Sequence, residues 1–187
     1  MRYLLAVLSL ALPAGASAVF MDCIAIDGFE NTVATAPANW RSHVMLTNCA
    51  RRTALPAAVP ALPVMRWDTA LAATAQAYAD QCRWQHSGAP GLGENLNAAA
   101  QTVGFPGNQE TASVTNWASE AAQYNYAANS CSGVCGHYTQ LVWRSTTAVG
   151  CGLRNCTSGS PFANFPNWTI VVCNYSPPGN FTGQRPY

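Results

Sequence analysis

The chain has 187 residues and a formal net charge of +1, with nine arginines, no lysine and eight acidic residues. A chain so close to neutral lacks the basic surplus that attracts a protein to nucleic acid, so no nucleic-acid partner is expected. The low net charge and the six tryptophans also argue against a disordered chain.

The first eighteen residues have the pattern of a secretory signal peptide. Arg2 supplies a positive start, residues 4–12 form a short apolar core, and residues 16–18 are a small-residue cleavage site. No later segment approaches the roughly 20 apolar residues that a membrane-spanning helix needs. We therefore expect residues 1–18 to be removed and the mature chain to be secreted without a transmembrane anchor, to the extracellular space or a periplasm.

Residues 19–39 show no helical period and include an Asp27-Gly28 turn, which predicts an irregular N-terminal lead-in. The remaining residues, 40–187, are few enough for one domain. Within it, residues 40–52 predict the first helix. Three prolines between positions 55 and 63 exclude a regular helix and predict a connecting segment.

The clearest helix is predicted after Trp67, where Asp68 is a good N-cap. Four residues then recur at spacings of four, three and four, which is typical of one helix face. They are Leu71, Ala75, Tyr78 and Cys82. Because this face ends in a cysteine, we expect the helix to be tied down at its C-terminal end. Residues 88–93 are rich in glycine and proline and predict a loop.

A second clear helix is predicted from Gln109 to Tyr124. Its expected buried stripe consists of Val114, Trp117, Ala121 and Tyr124. Glu120 follows Trp117 by one turn and lies at the edge of that stripe. The helix should therefore present a carboxylate beside its apolar face.

Two segments near the C-terminal end predict a β-hairpin. Residues 146–156 and 167–175 carry β-branched residues and cysteines on either side of a stretch rich in turn-forming residues. Because helices precede strands along the chain, the expected fold class is α+β.

Eight cysteines behind a signal peptide are typical of disulfides formed in an oxidising compartment. Eight cysteines allow 105 pairings, and their spacing alone leaves the pairing open. The alternative, zinc bound by cysteine thiolates, is disfavoured because an exported chain does not keep its thiols reduced.

Residues 135–140, Cys-Gly-His-Tyr-Thr-Gln, place His137 directly after a cysteine and a glycine. Its candidate partners are upstream: His86, Glu94 and Glu120. In a chain with only three histidines and eight acidic residues, two histidines and two carboxylates form a candidate site. Neither the HExxH motif of zinc proteases nor the Gly-x-Ser-x-Gly motif of serine hydrolases is present.

A series of motifs runs in order from about Trp67 to Tyr187. It consists of His86-Ser87, Gly93-Glu94-Asn95-Leu96, Trp117 with Glu120, residues 135–143 (CGHYTQLVW), Gly150-Cys151, Cys173-Asn174-Tyr175, Pro177, Gly179-Asn180, Gly183 and Pro186-Tyr187. This series resembles the CAP superfamily, which comprises the cysteine-rich secretory proteins, antigen 5 and the plant pathogenesis-related class 1 proteins. One motif departs from the family: its usual His-Asn pair in the first helix is matched here only by Thr47-Asn48-Cys49, and His43 matches no motif.

The resemblance implies an α-β-α sandwich with a central, mostly antiparallel sheet, stapled by disulfides. It also implies a surface cleft that holds four residues: His86, Glu94, Glu120 and His137. The cysteine positions are most similar to those of the plant branch, which implies the pairs Cys82–Cys156, Cys131–Cys135 and Cys151–Cys173. Cys23 and Cys49 are then left to pair by elimination.

Two neutral imidazoles can bind Zn²⁺ or another divalent cation, and nearby carboxylates can orient the rings. We therefore interpret His86 and His137 as metal ligands, with a purely structural His-Glu hydrogen-bond network as the alternative. Tyr124 and Tyr126 enter the loop that resembles the lipid-binding or sterol-binding region of the family, with ordinary packing as the alternative. His43 is interpreted as a surface or core histidine rather than a ligand.

The expected function is that of a secreted CAP-domain protein in extracellular interaction or lipid binding, of a defence or virulence type. Its expected partners are a sterol, a fatty acid or an extracellular protein, and a monomer is expected. The alternative is a metal-dependent hydrolase, a protease or an esterase, in which Glu94 or Glu120 activates a zinc-bound water. The non-catalytic role is preferred.

Overall fold

A computed structural model describes residues 34–187 of the chain. The predicted signal peptide, most of the lead-in and Cys23 lie outside the described residues. The helices are α1 (Arg41–Arg52), α2 (Thr69–Ala79), α3 (Gln109–Ser119) and α4 (Gly136–Leu141), with 3₁₀ turns at Ala38–Trp40 and Glu120–Gln123. The strands are β1 (Arg66–Trp67), β2 (Gly93–Ala100), β3 (Tyr124–Asn125), β4 (Ser130–Cys131), β5 (Ala148–Cys156) and β6 (Trp168–Ser176).

Four strands form the central sheet in the order β1-β5-β6-β2. The β5–β6 and β6–β2 pairs are antiparallel, and only the short β1 pairs in parallel with β5. β3 and β4 form a separate small hairpin. The predicted hairpin of residues 146–156 and 167–175 is confirmed as β5 and β6, and it supplies the two inner strands.

The two faces of the sheet are covered by different helices. Along β6, Val171, Cys173 and Tyr175 are buried in a cluster with residues of α1, α3 and α4. The alternate residues, Trp168, Ile170 and Val172, are buried with Ala75 and Ala79 of α2. This period of two is what a strand buried on both faces requires. The α-β-α sandwich and the α+β class are therefore confirmed.

Asp68 begins α2 as predicted. Its carboxylate accepts hydrogen bonds from the backbone N–H groups of Ala70 and Leu71 at 2.8 and 2.9 Å, which satisfies two donors that the helix cannot pair internally. Of the predicted face, Leu71 and Ala75 are buried, whereas Tyr78 and Cys82 are partly exposed. The helix ends at Ala79, and Cys82 lies in the turn that follows.

Two glycines of β5 allow α2 to lie directly on the sheet. A Cβ atom added at Gly150 would lie 2.1 Å from the backbone nitrogen of Ala72, and one at Gly152 would lie 2.4 Å from the Cα atom of Gln76. Both distances are far shorter than van der Waals contact. The close approach of helix and sheet therefore depends on the absence of side chains at these two positions.

We predict that Gly150→Ala lowers the free energy of unfolding by about 3 kcal/mol, because α2 must move away from the sheet as a whole. Gly107→Ala is the matched control, since a Cβ atom there meets nothing within 4 Å, and it should change stability by less than about 0.5 kcal/mol. Urea unfolding followed by tryptophan fluorescence measures both. Equal effects of the two substitutions would contradict the tight contact.

The predicted connector is confirmed as irregular structure between α1 and β1. Arg51 fixes this connector, because its Nε donates to the carbonyl of Pro63 at 2.8 Å. Nη1 of the same side chain donates to the carbonyls of Leu141 and Trp143 at 2.8 and 2.9 Å. Burial and the nearby charge of Arg144 lower the pKa of Arg51 to about 10, which leaves the guanidinium charged at neutral pH. One buried side chain therefore joins α1, the connector and the end of α4.

Three disulfides are confirmed: Cys82–Cys156, Cys131–Cys135 and Cys151–Cys173. Cys49 is also disulfide-bonded, and its predicted partner Cys23 lies outside the described residues. Within residues 34–187, no helix is both long enough and apolar enough to cross a membrane.

The middle of the chain differs from the sequence analysis in two ways. α3 ends at Ser119 rather than Tyr124, and the chain tightens into a 3₁₀ turn at Glu120. Because a 3₁₀ turn has three residues rather than 3.6, Ala121 rotates off the predicted stripe and is exposed. The second difference is β2, which was not predicted. This strand pairs with β6 along its full length.

Candidate functional site

His86 and Glu94 form the first of two His-Glu pairs. His86 Nδ1 lies 2.9 Å from Glu94 Oε1, and the backbone N–H of Ser87 donates to the same oxygen at 2.8 Å. Asn174 Nδ2 donates to Glu94 Oε2 at 3.3 Å. The His86 side chain is 65% exposed while that of Glu94 is 8% exposed. A nearly buried carboxylate on β2 therefore anchors a ring that faces solvent.

Glu120 and His137 form the second pair. His137 Nδ1 lies 2.6 Å from Glu120 Oε1, and the backbone N–H groups of His137 and Tyr138 both donate to Glu120 Oε2 at 3.1 Å. The imidazole also stacks on the indole of Trp117, with ring centroids 5.8 Å apart and planes inclined by 18°. The 3₁₀ turn after α3 therefore brings the carboxylate of Glu120 to the backbone N–H groups in the first turn of α4.

Three consecutive residues of β2 connect the two pairs. Glu94 holds His86, as described above. Asn95 Nδ2 donates to the carbonyl of His137 at 3.1 Å, and Leu96 accepts a hydrogen bond from Trp117 Nε1 at 3.2 Å. Trp117 is the residue on which His137 stacks. Both imidazoles are therefore positioned by the same short stretch of strand.

The hydrogen bonds determine the tautomer of each ring. A carboxylate can only accept, so the proton lies on Nδ1 of His86 and of His137. Nε2 then carries a lone pair in both rings. In the part of the chain that the structure describes, neither Nε2 has a hydrogen-bond partner. Each ring can therefore offer one nitrogen to a cation, with a carboxylate orienting it from behind.

A cavity of about 260 Å³ opens beside the first pair. His86 and Glu94 line it together with Asn174 of β6, Gln140 of α4 and Asn180 of the C-terminal segment. α4 also carries His137 in its first turn. The cavity is therefore a cleft between the loop of the first pair and the helix of the second.

The four predicted cleft residues are brought together as two pairs rather than as one compact cluster. Among the described residues, the one group with three metal-type ligand atoms within 4.8 Å of one another is His43, Cys151 and Cys173. The two sulfurs are bonded to each other in a disulfide, so they are not available as thiolate ligands in the oxidised protein.

His43 is a core histidine, one of the two environments expected for it. It is fully buried, and its Nδ1 lies 2.7 Å from the carbonyl oxygen of Glu110. Burial lowers the pKa of His43 to about 4, while the hydrogen bond to Glu110 and the charge of that residue act in the opposite direction. Sequence reasoning could not find this environment, because the contacts with Glu110, Trp117 and the Cys151–Cys173 disulfide come from distant parts of the chain.

Asn48, in the segment that replaces the family's His-Asn pair, has a structural role. Its side chain is buried and exchanges two hydrogen bonds with the backbone of Met65, at 2.9 and 2.6 Å. These bonds join α1 to the chain just before β1. The asparagine is therefore used for folding.

Tyr124 and Tyr126, the predicted lipid-loop residues, lie together at a second cavity of about 660 Å³. Their rings meet edge to face with centroids 6.5 Å apart, and the Tyr126 ring stacks on the Tyr187 ring with centroids 4.7 Å apart. The hydroxyl of Tyr126 donates to the backbone carbonyl of Tyr187. Leu55, 78% exposed, also lines the cavity. The tyrosines are therefore packed against the C-terminal segment and also line an open cleft.

Comparison with known proteins agrees with this architecture. Residues 40–175 match the profile of the CAP family, described as the cysteine-rich secretory protein family, and the chain belongs to that family. Pathogenesis-related protein 1 of Arabidopsis thaliana is 45% identical over 127 residues, which cover 66% of this chain and 70% of the relative. Peptidase inhibitor 16 of Bos taurus is 43% identical over 150 residues, which cover 78% of this chain but only 31% of that protein.

Solved structures share the fold. The crystal structure of NaASP2 with Zn²⁺ superimposes with a TM-score of 0.63 at 25% sequence identity, covering 81% of this chain and 86% of that one. Schistosoma mansoni venom allergen-like protein 4 gives a TM-score of 0.61 at 24% identity, covering 81% of this chain and 94% of that one. The α-β-α sandwich is therefore the fold of the family, and the predicted resemblance is confirmed.

Proposed function

We propose that this protein is a secreted CAP-domain protein that holds a divalent cation, zinc in the first instance, between Nε2 of His86 and Nε2 of His137. The observation that carries the proposal is the identical arrangement of the two rings, each with Nδ1–H on a carboxylate and Nε2 unpaired. Neutral imidazole nitrogens bind Zn²⁺ at about 2.0–2.1 Å. Two protein ligands leave positions on the ion open for water or for an atom of a binding partner.

The solved relative with Zn²⁺ supports this proposal, since its fold is the same. The signal-peptide pattern and the secretory description of the family support release from the cell. An extracellular ion with open positions is suited to an interaction role, in which a partner protein completes the coordination.

The two carboxylates favour binding over hydrolysis. Glu94 and Glu120 each accept three hydrogen bonds from N–H groups, so their oxygens are already occupied in orienting the rings and the nearby backbone. A general base needs a lone pair within reach of the attacking water. The alternative of a metal-dependent protease or esterase is therefore less well supported, and it predicts turnover of peptides or esters that a chelator abolishes.

Zinc titration by calorimetry at neutral pH tests the metal proposal. We expect one ion per wild-type chain, loss of binding in His86→Ala and His137→Ala, and affinity weaker by about 10–100-fold in Glu120→Gln, because the amide orients the ring less strongly. Binding should also weaken as the pH falls, since protonated rings cannot bind the metal. The remote variant Tyr126→Ser is the control and should bind as the wild type does. Absence of heat in the wild-type protein would overturn the proposal.

We also propose lipid binding, of a sterol or a fatty acid, at the cleft of Tyr124 and Tyr126. The supporting observation is the cavity of about 660 Å³, which lies within the range of about 300–1,000 Å³ typical of small-molecule sites. The two aromatic rings and the exposed Leu55 in its lining suit an apolar ligand. The cleft is separate from the two His-Glu pairs, so both activities can coexist.

Lipid extraction from the purified secreted protein, followed by mass spectrometry, tests the second activity. We expect a co-purifying sterol or fatty acid in the wild type and at least a tenfold loss in Tyr124→Ser/Tyr126→Ser. Tyr78→Ser, on the opposite side of the sheet, is the control and should retain the lipid. An unchanged lipid content in the double variant would show that the cleft is not the site.

A further inference from the structure

His43 lies on the inner face of α1, against the disulfide that joins the two central strands. Its Nε2 is 3.7 Å from Sγ of Cys151 and 3.6 Å from Sγ of Cys173. All three residues are buried. The two cysteines are directly opposite each other in the β5–β6 ladder. One nitrogen and two sulfurs, from three different elements of the fold, therefore meet in a dry environment.

The orientation of the imidazole is determined by its surroundings. Nδ1 lies 2.7 Å from the carbonyl oxygen of Glu110, which can only accept, so the proton is on Nδ1 and the lone pair is on Nε2. Trp40 and Trp117 contact the ring edge to face, with centroids 5.5 and 5.7 Å away. The lone pair of Nε2 therefore points towards the sulfurs and is held there by packing.

We propose that reduction of the Cys151–Cys173 disulfide converts this cluster into a zinc site, in which the two thiolates and Nε2 of His43 bind one ion. With Zn–S of about 2.3 Å and Zn–N of about 2.0–2.1 Å, tetrahedral angles place nitrogen and sulfur about 3.6 Å apart and the two sulfurs about 3.8 Å apart. The two nitrogen–sulfur distances already have this value. Only the sulfurs must separate, and breaking their bond permits it.

The chemistry of the conversion balances with a dithiol as reductant. The dithiol supplies two electrons and two protons, becomes a cyclic disulfide and leaves two cysteine thiols. Binding of Zn²⁺ then displaces the two thiol protons. Two thiolates, a neutral imidazole and Zn²⁺ sum to zero charge, which is the combination that a fully buried site accommodates at least cost.

The same three side chains would then stabilise the fold in both redox states. In the oxidised chain the disulfide joins β5 to β6. In the reduced chain, as it exists before oxidation or in a reducing compartment, the ion would join these strands and also α1. This site is distinct from the proposed His86–His137 site, since the two share no ligand.

Cobalt substitution tests the proposal on the full-length mature chain. The protein is unfolded and reduced with a phosphine, which takes oxygen from water and becomes a phosphine oxide while the disulfide gains two electrons and two protons. It is then refolded by dilution with the same reductant and one equivalent of Co²⁺. We expect thiolate-to-cobalt charge-transfer bands and tetrahedral d–d bands, lost on addition of zinc. His43→Asn should bind at least tenfold more weakly, because its amide can still donate to Glu110 but supplies no imidazole nitrogen.

Three controls separate this site from other thiols and from the His-Glu pairs. Cys131→Ser/Cys135→Ser should retain the bands, and Cys151→Ser/Cys173→Ser should lose them. The oxidised wild type, titrated in parallel, should show no thiolate band whether or not it binds metal through His86 and His137. Near-ultraviolet circular dichroism verifies that each refolded variant is native.

Four outcomes would overturn the proposal. They are an absence of thiolate bands in the reduced wild type, equal affinity in His43→Asn, persistence of the bands without Cys151 and Cys173, and failure of the reduced chain to fold in the presence of zinc. Failure to fold would contradict the proposal because the three ligands meet only in the native fold.

Discussion

Acidification of the oxidised, metal-free protein from pH 7 to pH 4 is expected to remove about 3 kcal/mol of unfolding free energy through His43 alone. Burial lowers the pKa of this ring to about 4, whereas the ordinary value is 6.5. Between these values the unfolded chain binds a proton that the folded chain does not. The contribution of His43 to the free energy of unfolding is fully present above about pH 6.5. It decreases as the pH falls from there towards 4.

Urea unfolding at a series of pH values, with His43→Asn as the reference, isolates this contribution. The asparagine can keep the hydrogen bond to Glu110 and does not titrate. We expect the variant to be less stable than the wild type at pH 7, because the ring leaves a cavity, and the difference to narrow by about 3 kcal/mol at pH 4. All other titrating groups contribute equally to both proteins. Parallel curves would show that His43 is protonated in the native state.

Removal of the Cys82–Cys156 disulfide is expected to lower the free energy of unfolding by roughly 4 kcal/mol. The two cysteines are 74 residues apart, and the crosslink removes much conformational entropy from the unfolded chain. Cys156 is also buried at the end of β5, so the bond fixes the turn after α2 to the sheet. Cys82→Ala/Cys156→Ala, studied by urea unfolding of the oxidised protein, measures the effect.

Cys131→Ala/Cys135→Ala is the matched control for loop length. Its cysteines are only four residues apart, and the chain-entropy argument assigns it about 2 kcal/mol. Removal of the short disulfide should therefore lower the free energy of unfolding by about half as much as removal of Cys82–Cys156. If the short disulfide costs as much as the long one, native-state contacts rather than loop closure account for the stability of both.

The parts of the fold that sequence reasoning predicted correctly are those determined locally or by strong motifs. Asp68 begins a helix because its carboxylate meets the next two N–H groups, whatever the rest of the chain does. The β5–β6 hairpin follows from β-branched residues on both sides of a turn. The motifs named His86, Glu94, Glu120 and His137 as one cleft, and the structure divides them into two hydrogen-bonded pairs that the sequence did not specify.

What could not be predicted depends on contacts between distant segments. β2 contains glutamate, two asparagines and four alanines or glycines, a poor composition for a strand, and it is stabilised by pairing with β6. Its buried Asn95 is satisfied by the carbonyl of His137 and the hydroxyl of Tyr175, which lie 42 and 80 residues away. The placement of His43 against a disulfide likewise combines three remote segments. Neither periodicity nor propensity contains this information.

The attachment of both imidazoles to residues 94–96 of β2 has a consequence for how such a site can evolve. The separation of the two rings is set by the strand to which both are attached, rather than by the loops that surround them. The loops at residues 88–92 and 131–135 can then change in length and chemistry without altering that separation. A chain built in this way can acquire new binding specificities at the rim of its cleft while the spacing of its two nitrogen donors is inherited unchanged.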